Sequence, residues 1–294
     1  MFGFLNIYKP KGYTSFDVVA TLRKTIHIKQ IGHTGTLDPF AVGVLPICIG
    51  KATKLIEYLP DDKEYIATVQ LGANTDTYDL EGEITEKFNK KVCEKDICDI
   101  LKFFEGEIEQ IPPIYSAIKV EGKKLYEYAR EGKNVEIKPR KVFISEIKLL
   151  SFNKEKQNAK ILIACSKGTY IRSIAYDIGQ KLNCGGYLTE LIRTKAGMFN
   201  VENAVKLEDI KNIADVQKFL INPLDVVSIP QYQLNEEERT QILHGMSIKC
   251  DGNFAKTYNI CLPQIVFLVY GGKINAVGLI EKEKIVVKKV FEVL

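Results

Sequence analysis

Residues 32–55 read GHTGTLDPFAVGVLPICIGKATKL and present a single acid, Asp38, in a loop punctuated by glycine. No other acid lies between Asp17 and Glu57, so Asp38 has no carboxylate close in sequence with which to share a proton. Pro39 disfavours helical dihedral angles at the residue before it, which predicts that Asp38 is presented from an extended or turn conformation. Such a lone carboxylate suits a nucleophile better than a metal site. On this stretch alone, an Asx-turn that stabilises its own loop is an equal alternative.

Outward from this loop, the hydrophobic pattern predicts more strands than helices. KEYIATVQLG (63–72) alternates with its apolar residues on one face, and further strands are predicted at 141–152 and 159–166. Helices are predicted over 93–104 and from near Tyr170, where apolar residues recur at helical spacing. Because many predicted strands follow one another directly, the fitting class is a mostly antiparallel sheet with helices packed against it.

Other segments extend this prediction towards both ends of the chain. Ser15 is predicted to cap a helix, and residues 52–59 have apolar positions at helical spacing. A boundary is predicted near residues 223–230, followed by a helix over 234–245 and a hairpin that turns at 271–272. The chain is thus expected to contain a large first domain and a small β-rich second module, for which a purely structural cap is a fair alternative.

Composition limits the classes of protein and of site. Of 294 residues, 46% are hydrophobic and 27% charged, as in an ordinary soluble globular protein. No run of about 18 apolar residues and no signal-peptide pattern is present, so the cytoplasm is the expected location. Seven cysteines without a CxxC pair argue against a disulfide framework and a zinc finger, and three histidines argue against a His-rich metal site.

Charge is distributed unevenly beneath a net value of +4. Residues 61–118 carry 6 basic and 14 acidic side chains, whereas residues 119–148 carry 9 basic and 5 acidic ones. Clustered Lys and Arg favour binding along a phosphate backbone, because binding releases counterions. The basic segment therefore indicates a nucleic-acid partner, with a solvated face laced by salt bridges as the alternative.

The stretch around Asp38 resembles the catalytic motif of the TruB family of pseudouridine synthases, whose tRNA members of the bacterial type are tRNA pseudouridine-55 synthases. Five further motifs of that family follow its order and cover roughly the first 200 residues: LNIYKPKGYTS (5–15), KEYIATVQLG (63–72), PPIYSAIKVEGKKLYEYAREG (112–132), GTYIRSIAYDIG (168–179) and GYLTELIRTKAG (186–197). The resemblance implies an α+β pseudouridine synthase fold with a large mixed, mostly antiparallel sheet flanked by helices. It also implies a catalytic domain over residues 1–228 and a PUA-like RNA-binding module over 229–294.

The resemblance assigns roles to individual residues. Asp38 matches the catalytic aspartate, and Arg172 matches the arginine that pairs with it and favours its charged form. Tyr65 matches the tyrosine that stacks on the target uracil. Tyr170 matches a tyrosine that acts either as a general base or as a wall of the pocket, with equal weight. His33 matches the histidine that fills the space left in the RNA when the base swings out.

Further residues of the resembled family would hold the substrate. Lys9 and Pro10 match a KP motif that supports the active-site loop, with Lys9 also expected to touch phosphate. Leu191 and Arg193 are expected to lie on a strand that borders the pocket, as substrate-binding residues. Residues 107–141 match an insertion that clamps the T-arm of tRNA. The side chains of this insertion that would contact phosphates are Lys119, Lys123, Lys124, Arg130, Arg140 and Lys141.

Together these matches imply an enzyme that isomerises the uridine at position 55, in the tRNA T-loop, by base flipping and an aspartate nucleophile. It is expected to be a monomer that needs no guide RNA, no protein partner, no membrane, no metal and no cofactor. The chain has neither a GxGxxG nor a GxxxxGK[ST] motif, which fits a reaction without nicotinamide or ATP. The alternatives are a subunit of an RNA-guided pseudouridine synthase, or a tRNA-binding folding chaperone with secondary catalysis.

Overall fold

The computed structural model describes residues 1–133, 135–250 and 262–291. The strands of this part are β1 Gly3–Lys9, β2 Ile31–His33, β3 Val42–Ile49, β4 Lys63–Leu71, β5 Ala73–Thr75, β6 Ile84–Lys87, β7 Gly106–Gln110, β8 Lys119–Val120, β9 Lys123–Lys124, β10 Arg140–Asn153, β11 Asn158–Cys165, β12 Gly186–Ala196, β13 Phe199–Asn200, β14 Val205–Lys206, β15 Gln231–Gln233, β16 Ile248–Lys249, β17 Gln264–Tyr270, β18 Lys273–Glu281 and β19 Lys284–Val290. The α-helices are α1 Ser15–Ile26, α2 Glu94–Leu101, α3 Leu125–Arg130, α4 Ile171–Lys181, α5 Ile213–Phe219, α6 Pro223–Val226 and α7 Glu236–Leu243.

Ten of these strands form one sheet, in which eight follow the order β14-β1-β3-β12-β4-β11-β10-β7 while β13 pairs with β12 and β2 with β3. Neighbouring strands are antiparallel except for the pairs β1 with β14 and β3 with β12. The sheet is therefore mixed and mostly antiparallel, which confirms the predicted α+β fold. The predicted strands over 141–152 and 159–166 correspond to β10 and β11 and are also confirmed.

The centre of the sheet is built on β4, whose residues alternate between a buried and a half-buried face. Alternate side chains from Tyr65 to Leu71 enter the core, where Ile97 of α2 and Ile174 of α4 pack with them. The period of two that predicted this strand thus reflects one face covered by helices. This packing also brings the start of α4 towards the start of β4.

The N-cap of helix α1 lies one residue earlier than predicted. Thr14, not Ser15, is the N-cap: its hydroxyl accepts a hydrogen bond from the Asp17 N–H at 3.0 Å, and the Asp17 carboxylate accepts one from the Thr14 N–H at 2.8 Å. Ser15 is buried and faces the loop of Asp38, where its hydroxyl accepts from the Leu37 N–H at 2.8 Å and donates to the Leu37 carbonyl at 3.2 Å. The start of α1 and the loop are therefore tied together.

The segment predicted as helical over 52–59 forms 3-10 turns over Gly50–Tyr58 instead of an α-helix. Ala52 and Leu55 are still buried. Their spacing of three residues equals one turn of a 3-10 helix, so both side chains reach the core in this tighter form. In the described part of the chain, no helix has the length and apolar character needed to cross a membrane.

A second sheet, of five strands in the order β15-β17-β18-β19-β16, contains residues from Gln231 onwards. Its β17–β18 hairpin turns at Gly271 and Gly272, both with positive φ, which confirms the predicted turn. Phe267 of this sheet and Phe4 of β1 belong to one hydrophobic core, so the second sheet packs on the first. Helix α7 corresponds to the helix predicted over 234–245, and residues 251–261 lie outside the described residues.

Candidate active site

Asp38 lies in the loop between β2 and β3, which contacts from other elements hold in place. The carbonyl of Pro39 accepts hydrogen bonds from the Gly12 N–H at 2.8 Å and from Lys9 Nζ at 3.2 Å. The Ala41 N–H donates to the carbonyl of Asp38 at 3.1 Å. Within residues 1–133, 135–250 and 262–291, no backbone N–H donates to the Asp38 carboxylate, so the alternative of an Asx-turn does not hold. The carboxylate is left to face Arg172.

Arg172, in the first turn of α4, joins two carboxylates. Its Nη2 donates a hydrogen bond to Asp38 Oδ1 at 3.1 Å. Its Nε lies 3.0 Å from Asp38 Oδ2, an ion-pair contact whose geometry does not form a hydrogen bond. Its Nη1 donates to Asp79 Oδ2 at 3.2 Å. The carbonyls of Thr77 and Tyr115 accept further bonds at 3.3 and 3.0 Å. The planar guanidinium is thus fixed on several sides, which a flexible ammonium could not reproduce.

Asp79 was not among the predicted site residues. Its side chain is only 4% exposed, and its Oδ1 accepts hydrogen bonds from Thr77 Oγ1 at 2.6 Å and from the Glu81 N–H at 3.0 Å. In the sequence it is one of 14 acids within residues 61–118 and lies 93 positions from Arg172. Only the packing of the loop before β6 against α4 brings it to the guanidinium.

The electrostatic environment of Asp38 combines opposing effects. Burial raises the pKa of its carboxyl above the ordinary value, Arg172 acts against this rise, and the charge of Asp79 adds to it. Arg172 therefore supports the ionised form, as predicted, without cancelling the cost of burial. The ionised fraction of Asp38 is expected to fall at a higher pH than for an exposed aspartate.

We predict that Asp79→Asn lowers kcat about 10- to 100-fold, the usual cost of removing a partner that orients a reacting group. The acid limb of the pH profile should also move to lower pH, because a negative charge that raises the pKa of Asp38 is removed. The measurement is kcat as a function of pH for the predicted isomerisation of uridine. Asp99→Asn is a matched control, since Asp99 is exposed and paired with Lys102 away from the site. An unchanged kcat with an unmoved acid limb would contradict the prediction.

The Asp38–Arg172 pair lies in a cleft of about 710 Å³, here called the Asp38 cleft. This volume lies within the range of sites that bind small molecules. The start of α1, the Asp38 loop, β4, residues 115–117 and the start of α4 form its wall. Six of the predicted site residues line it together: His33, Asp38, Tyr65, Tyr170, Arg172 and Leu191.

Known families account for most of the chain. The family model described as TruB family pseudouridylate synthase, N-terminal domain, matches residues 23–171, and the one described as tRNA pseudouridylate synthase B C-terminal domain matches residues 172–227. The chain belongs to the TruB family of pseudouridylate synthases. Both members of the Asp38–Arg172 pair fall within these matches.

Relatives in this family match nearly end to end. The tRNA pseudouridine synthase B of Clostridium kluyveri is 42% identical, over 95% of this chain and 96% of that protein. The protein of the same name from Caldanaerobacter subterraneus is 43% identical, over 98% and 99%, and that of Francisella philomiragia is 44% identical, over 99% and 95%. The chain is therefore comparable in length with these synthases.

Two similar solved structures come from ribonucleoprotein assemblies. One is a chain of an H/ACA RNP bound to a substrate RNA containing 2′-deoxyuridine, with 25% identity and a TM-score of 0.71 over 99% of this chain and 85% of that chain. The other is a chain of a Cbf5-Nop10-Gar1 complex, with 26% identity, the same TM-score and the same coverage. They support the pseudouridine synthase fold of this TruB-family chain.

Two tyrosines of the TruB site are held in their protonated form. Tyr65 is only 6% exposed, so most of its ring packs in the core while the rest lines the cleft, and burial raises the pKa of its hydroxyl. Tyr170 caps α4, and the Gln110 side chain binds its N–H and its carbonyl at 2.8 and 3.0 Å. Burial also raises the pKa of Tyr170, which favours a wall over a general base. The stacking of Tyr65 on uracil stays a prediction.

His33 is half-buried and lines the Asp38 cleft. Burial lowers the pKa of its imidazole, and the charge of Arg193 lowers it further, which favours a neutral ring. Among the described residues, its buried Nδ1 has no hydrogen-bond partner. A neutral ring with an unpaired nitrogen beside the cleft suits contact with a base, and the predicted role of His33 in RNA stays a prediction.

Lys9 and Pro10 lie beneath the Asp38 loop, and the role of Pro10 towards substrate stays a prediction. Lys9 is fully buried, and its Nζ donates to the carbonyls of Pro10 at 3.0 Å, Pro39 at 3.2 Å and Tyr13. Burial lowers the pKa of Lys9 to about 8. The predicted contact of Lys9 with phosphate is wrong, because its ammonium is enclosed by these carbonyls. The two residues instead fix the turn that supports Asp38.

Arg193 also differs from its predicted place at the border of the pocket. It is 1% exposed, and its guanidinium donates to the carbonyls of Val44 at 2.7 Å, Gly35 at 3.1 Å and Thr36 at 3.4 Å. Its donors are thus directed at backbone on both sides of Asp38. The prediction of a substrate contact is wrong for Arg193, which supports the loop from within, whereas Leu191 on the same strand does line the cleft.

The basic segment matched to the T-arm clamp adjoins the Asp38 cleft through Tyr126, which lines it. Its positive charge is partly neutralised within the protein: Lys123 pairs with Glu131, and Lys141 pairs with Glu107 at 2.8 Å. None of the six predicted phosphate contacts is buried: Lys119, Lys123, Lys124, Arg130, Arg140 and Lys141. They are accessible to RNA, and their contacts stay predictions.

Proposed function

We propose that this protein isomerises the uridine at position 55, in the T-loop of tRNA, to pseudouridine, without a guide RNA and with Asp38 as nucleophile. The observation that carries the proposal is the Asp38 carboxylate, held in contact with Arg172 inside a cleft lined by Tyr65. We further propose that the protein acts as a monomer in the cytoplasm without a protein partner or cofactor, and that residues 1–228 form the catalytic domain and 229–294 an RNA-binding module.

The reaction breaks the bond from ribose C1′ to uracil N1 and forms a bond from C1′ to C5. N1 takes up a proton, and the hydrogen on C5 leaves to solvent, so the product is an isomer of the substrate. Attack by Asp38 at C1′, addition to uracil C6 and a route through a glycal each require the carboxylate in its ionised form. Arg172 favours that form against the effect of burial.

The target base must leave the RNA stack to reach Asp38. Unstacking costs a few kcal/mol, and stacking on an aromatic ring returns about 1–3 kcal/mol. Tyr65 is the ring proposed to receive the uracil, and His33 is proposed to occupy the space left in the RNA. Stacking on Tyr65 offsets much of the cost of extrusion, so contacts along the tRNA T-arm must supply the rest. The basic residues of 119–141 are proposed for that role.

The near-complete match to proteins named tRNA pseudouridine synthase B supports tRNA as the substrate. The similarity to a chain of a Cbf5-Nop10-Gar1 complex, at 26% identity, is the observation behind the RNA-guided alternative. The lower identity makes this a weaker candidate. A folding chaperone with secondary catalysis would use the same basic segment but would not depend on Asp38.

The test is an unmodified tRNA transcript that carries tritium at C5 of uridine, incubated with the purified protein and no guide RNA. The proposal expects tritium release in proportion to the tRNA, and no release above background from a transcript with cytidine at position 55. Release only after addition of a guide RNA and partner proteins would favour the RNA-guided alternative. Binding and refolding of tRNA without release would favour the chaperone.

A further inference from the structure

Lys63 stands at the start of β4, two residues before Tyr65 and on the same face of the strand. It lines the Asp38 cleft and also a neighbouring cavity of about 210 Å³, so it lies where the two cavities meet. Its Nζ lies close to the loop of Asp38, 3.4 Å from the position that a Cβ on Gly35 would occupy. A lysine is thus placed at the edge of the Asp38 cleft, on the side of Gly35.

The ammonium of Lys63 is not in contact with a carboxylate of the described residues, although Glu57, Asp61 and Asp62 line the smaller cavity with it. Across residues 1–133, 135–250 and 262–291, its Nζ makes neither an ion pair nor a hydrogen bond. The three acids nearest in sequence are engaged elsewhere. Asp61 pairs with Lys167 at 2.8 Å, Asp62 pairs with Lys195 at 3.2 Å, and Glu64 accepts a hydrogen bond from the Thr194 hydroxyl at 2.6 Å.

A second positive charge adds to this excess. The guanidinium of Arg193 lies beside the same glycine, with its Nη1 3.7 Å from the position of a Cβ on Gly35. Its hydrogen bonds go to backbone carbonyls, which do not neutralise it. Burial lowers the pKa of Lys63, and the charge of Arg193 lowers it further. The charge of Asp61 acts against this fall in the pKa but comes after burial and Arg193 among its causes. Two cations therefore lie close together in a half-buried place, and among the described residues neither is in contact with a carboxylate, which favours a ligand that supplies one more negative charge.

We propose that Lys63 binds a backbone phosphate of the RNA strand whose nucleotide enters the Asp38 cleft. This inference rests on the proposed function, since it takes RNA as the ligand. A phosphate supplies the missing negative charge, and a compact ammonium binds it as a point charge. Lys63 then holds the RNA strand at the point where the target nucleotide leaves the base stack.

The test compares Lys63→Gln with wild type by measuring the Kd for a tRNA T-arm stem-loop at several KCl concentrations. Loss of one phosphate contact is expected to weaken binding roughly tenfold at low salt. It should also reduce the slope of log affinity against log salt by about 0.7 to 0.9. Lys63→Arg should restore most of the slope. Lys102→Gln, which removes an exposed lysine outside both cavities, should bind as wild type does.

A neutral methylphosphonate, placed in turn at the linkages on either side of the target uridine, identifies the phosphate. One of these replacements should weaken binding by wild type and have no further effect on Lys63→Gln. A weaker Kd with an unchanged salt slope would show that Lys63 has a structural role only, and equal Kd values would also overturn the inference. Tritium release by wild type is measured in parallel. Absence of release would overturn the proposed function. Release by wild type, together with an unaltered Kd and salt slope for Lys63→Gln, would overturn this inference alone.

Discussion

Replacing Asp38 by asparagine is expected to lower kcat for uridine isomerisation roughly 10⁴-fold or more, the scale seen when a group that forms bonds is removed. Asparagine fills the same space but cannot carry the negative charge that the reaction requires. Arg172 keeps its hydrogen bonds to Asp79 and to the carbonyls of Thr77 and Tyr115, so the site should keep its shape. RNA affinity should therefore remain close to that of wild type.

The measurement is single-turnover tritium release, together with the Kd for tRNA. Asp99→Asn, which removes an exposed carboxylate far from the cleft, serves as the control for the change in charge and should retain full activity. Residual activity above about a hundredth of wild type would show that the carboxylate of Asp38 is not the nucleophile. Loss of activity together with loss of binding would instead point to a positioning role.

The same variant is expected to be more stable than wild type at pH 7. Burial raises the pKa of Asp38 in the folded state, so ionising this carboxyl costs more free energy there than in the unfolded chain. Asparagine removes that cost. The gain in Tm should vanish as the pH falls below the ordinary aspartate pKa of 3.8, where the carboxyl is protonated in both states. A Tm at pH 7 below that of wild type would contradict this expectation.

Replacing Arg172 by methionine is expected to lower the free energy of unfolding by about 3–5 kcal/mol, the cost of breaking a buried ion pair by removing one partner. The loss should come mainly from Asp79, which is 4% exposed and would be left without its counter-charge, whereas the 31% exposed Asp38 can be hydrated. Urea denaturation measures the change. Activity should fall as well, because the ionised form of Asp38 loses its stabilising charge.

Two further variants test this explanation of stability. Arg172→Lys keeps the charge but cannot reach both carboxylates and both carbonyls, so its stability should lie between those of wild type and Arg172→Met. In a double-mutant cycle, Asp79→Asn should recover part of the loss caused by Arg172→Met, because the uncompensated buried charge is removed. A loss below about 1 kcal/mol for Arg172→Met, or no recovery in the double variant, would show that the pair contributes little.

Local patterns predicted much of the fold correctly. The alternation in β4 predicted which side chains are buried, because one face of that strand is covered by helices. The glycines at 271 and 272 predicted the hairpin, because their positive φ is accessible mainly to glycine. In each case the signal lies in residues that are neighbours in sequence.

Errors arose where contacts distant in sequence decide the outcome. Ser15 was predicted as the helix cap. Its hydroxyl instead forms a hydrogen bond with Leu37, 22 positions away, and Thr14 caps the helix. Lys9 and Arg193 were placed near the substrate by the resemblance to the family alone. Both are enclosed by backbone carbonyls that the folded loops bring to them.

The sequence by itself predicted the central strands and the main helices, the family, and the carboxylate together with the arginine that pairs with it. Only the tertiary structure decided that Arg172 also binds Asp79, that Lys9 and Arg193 support the loop from within, and that Lys63 has no ion-pair partner in the part of the chain that the structure describes. The reason is physical. Periodicity and turn chemistry act between neighbours in sequence, whereas burial, pKa and charge compensation depend on which atoms the fold brings within a few ångströms.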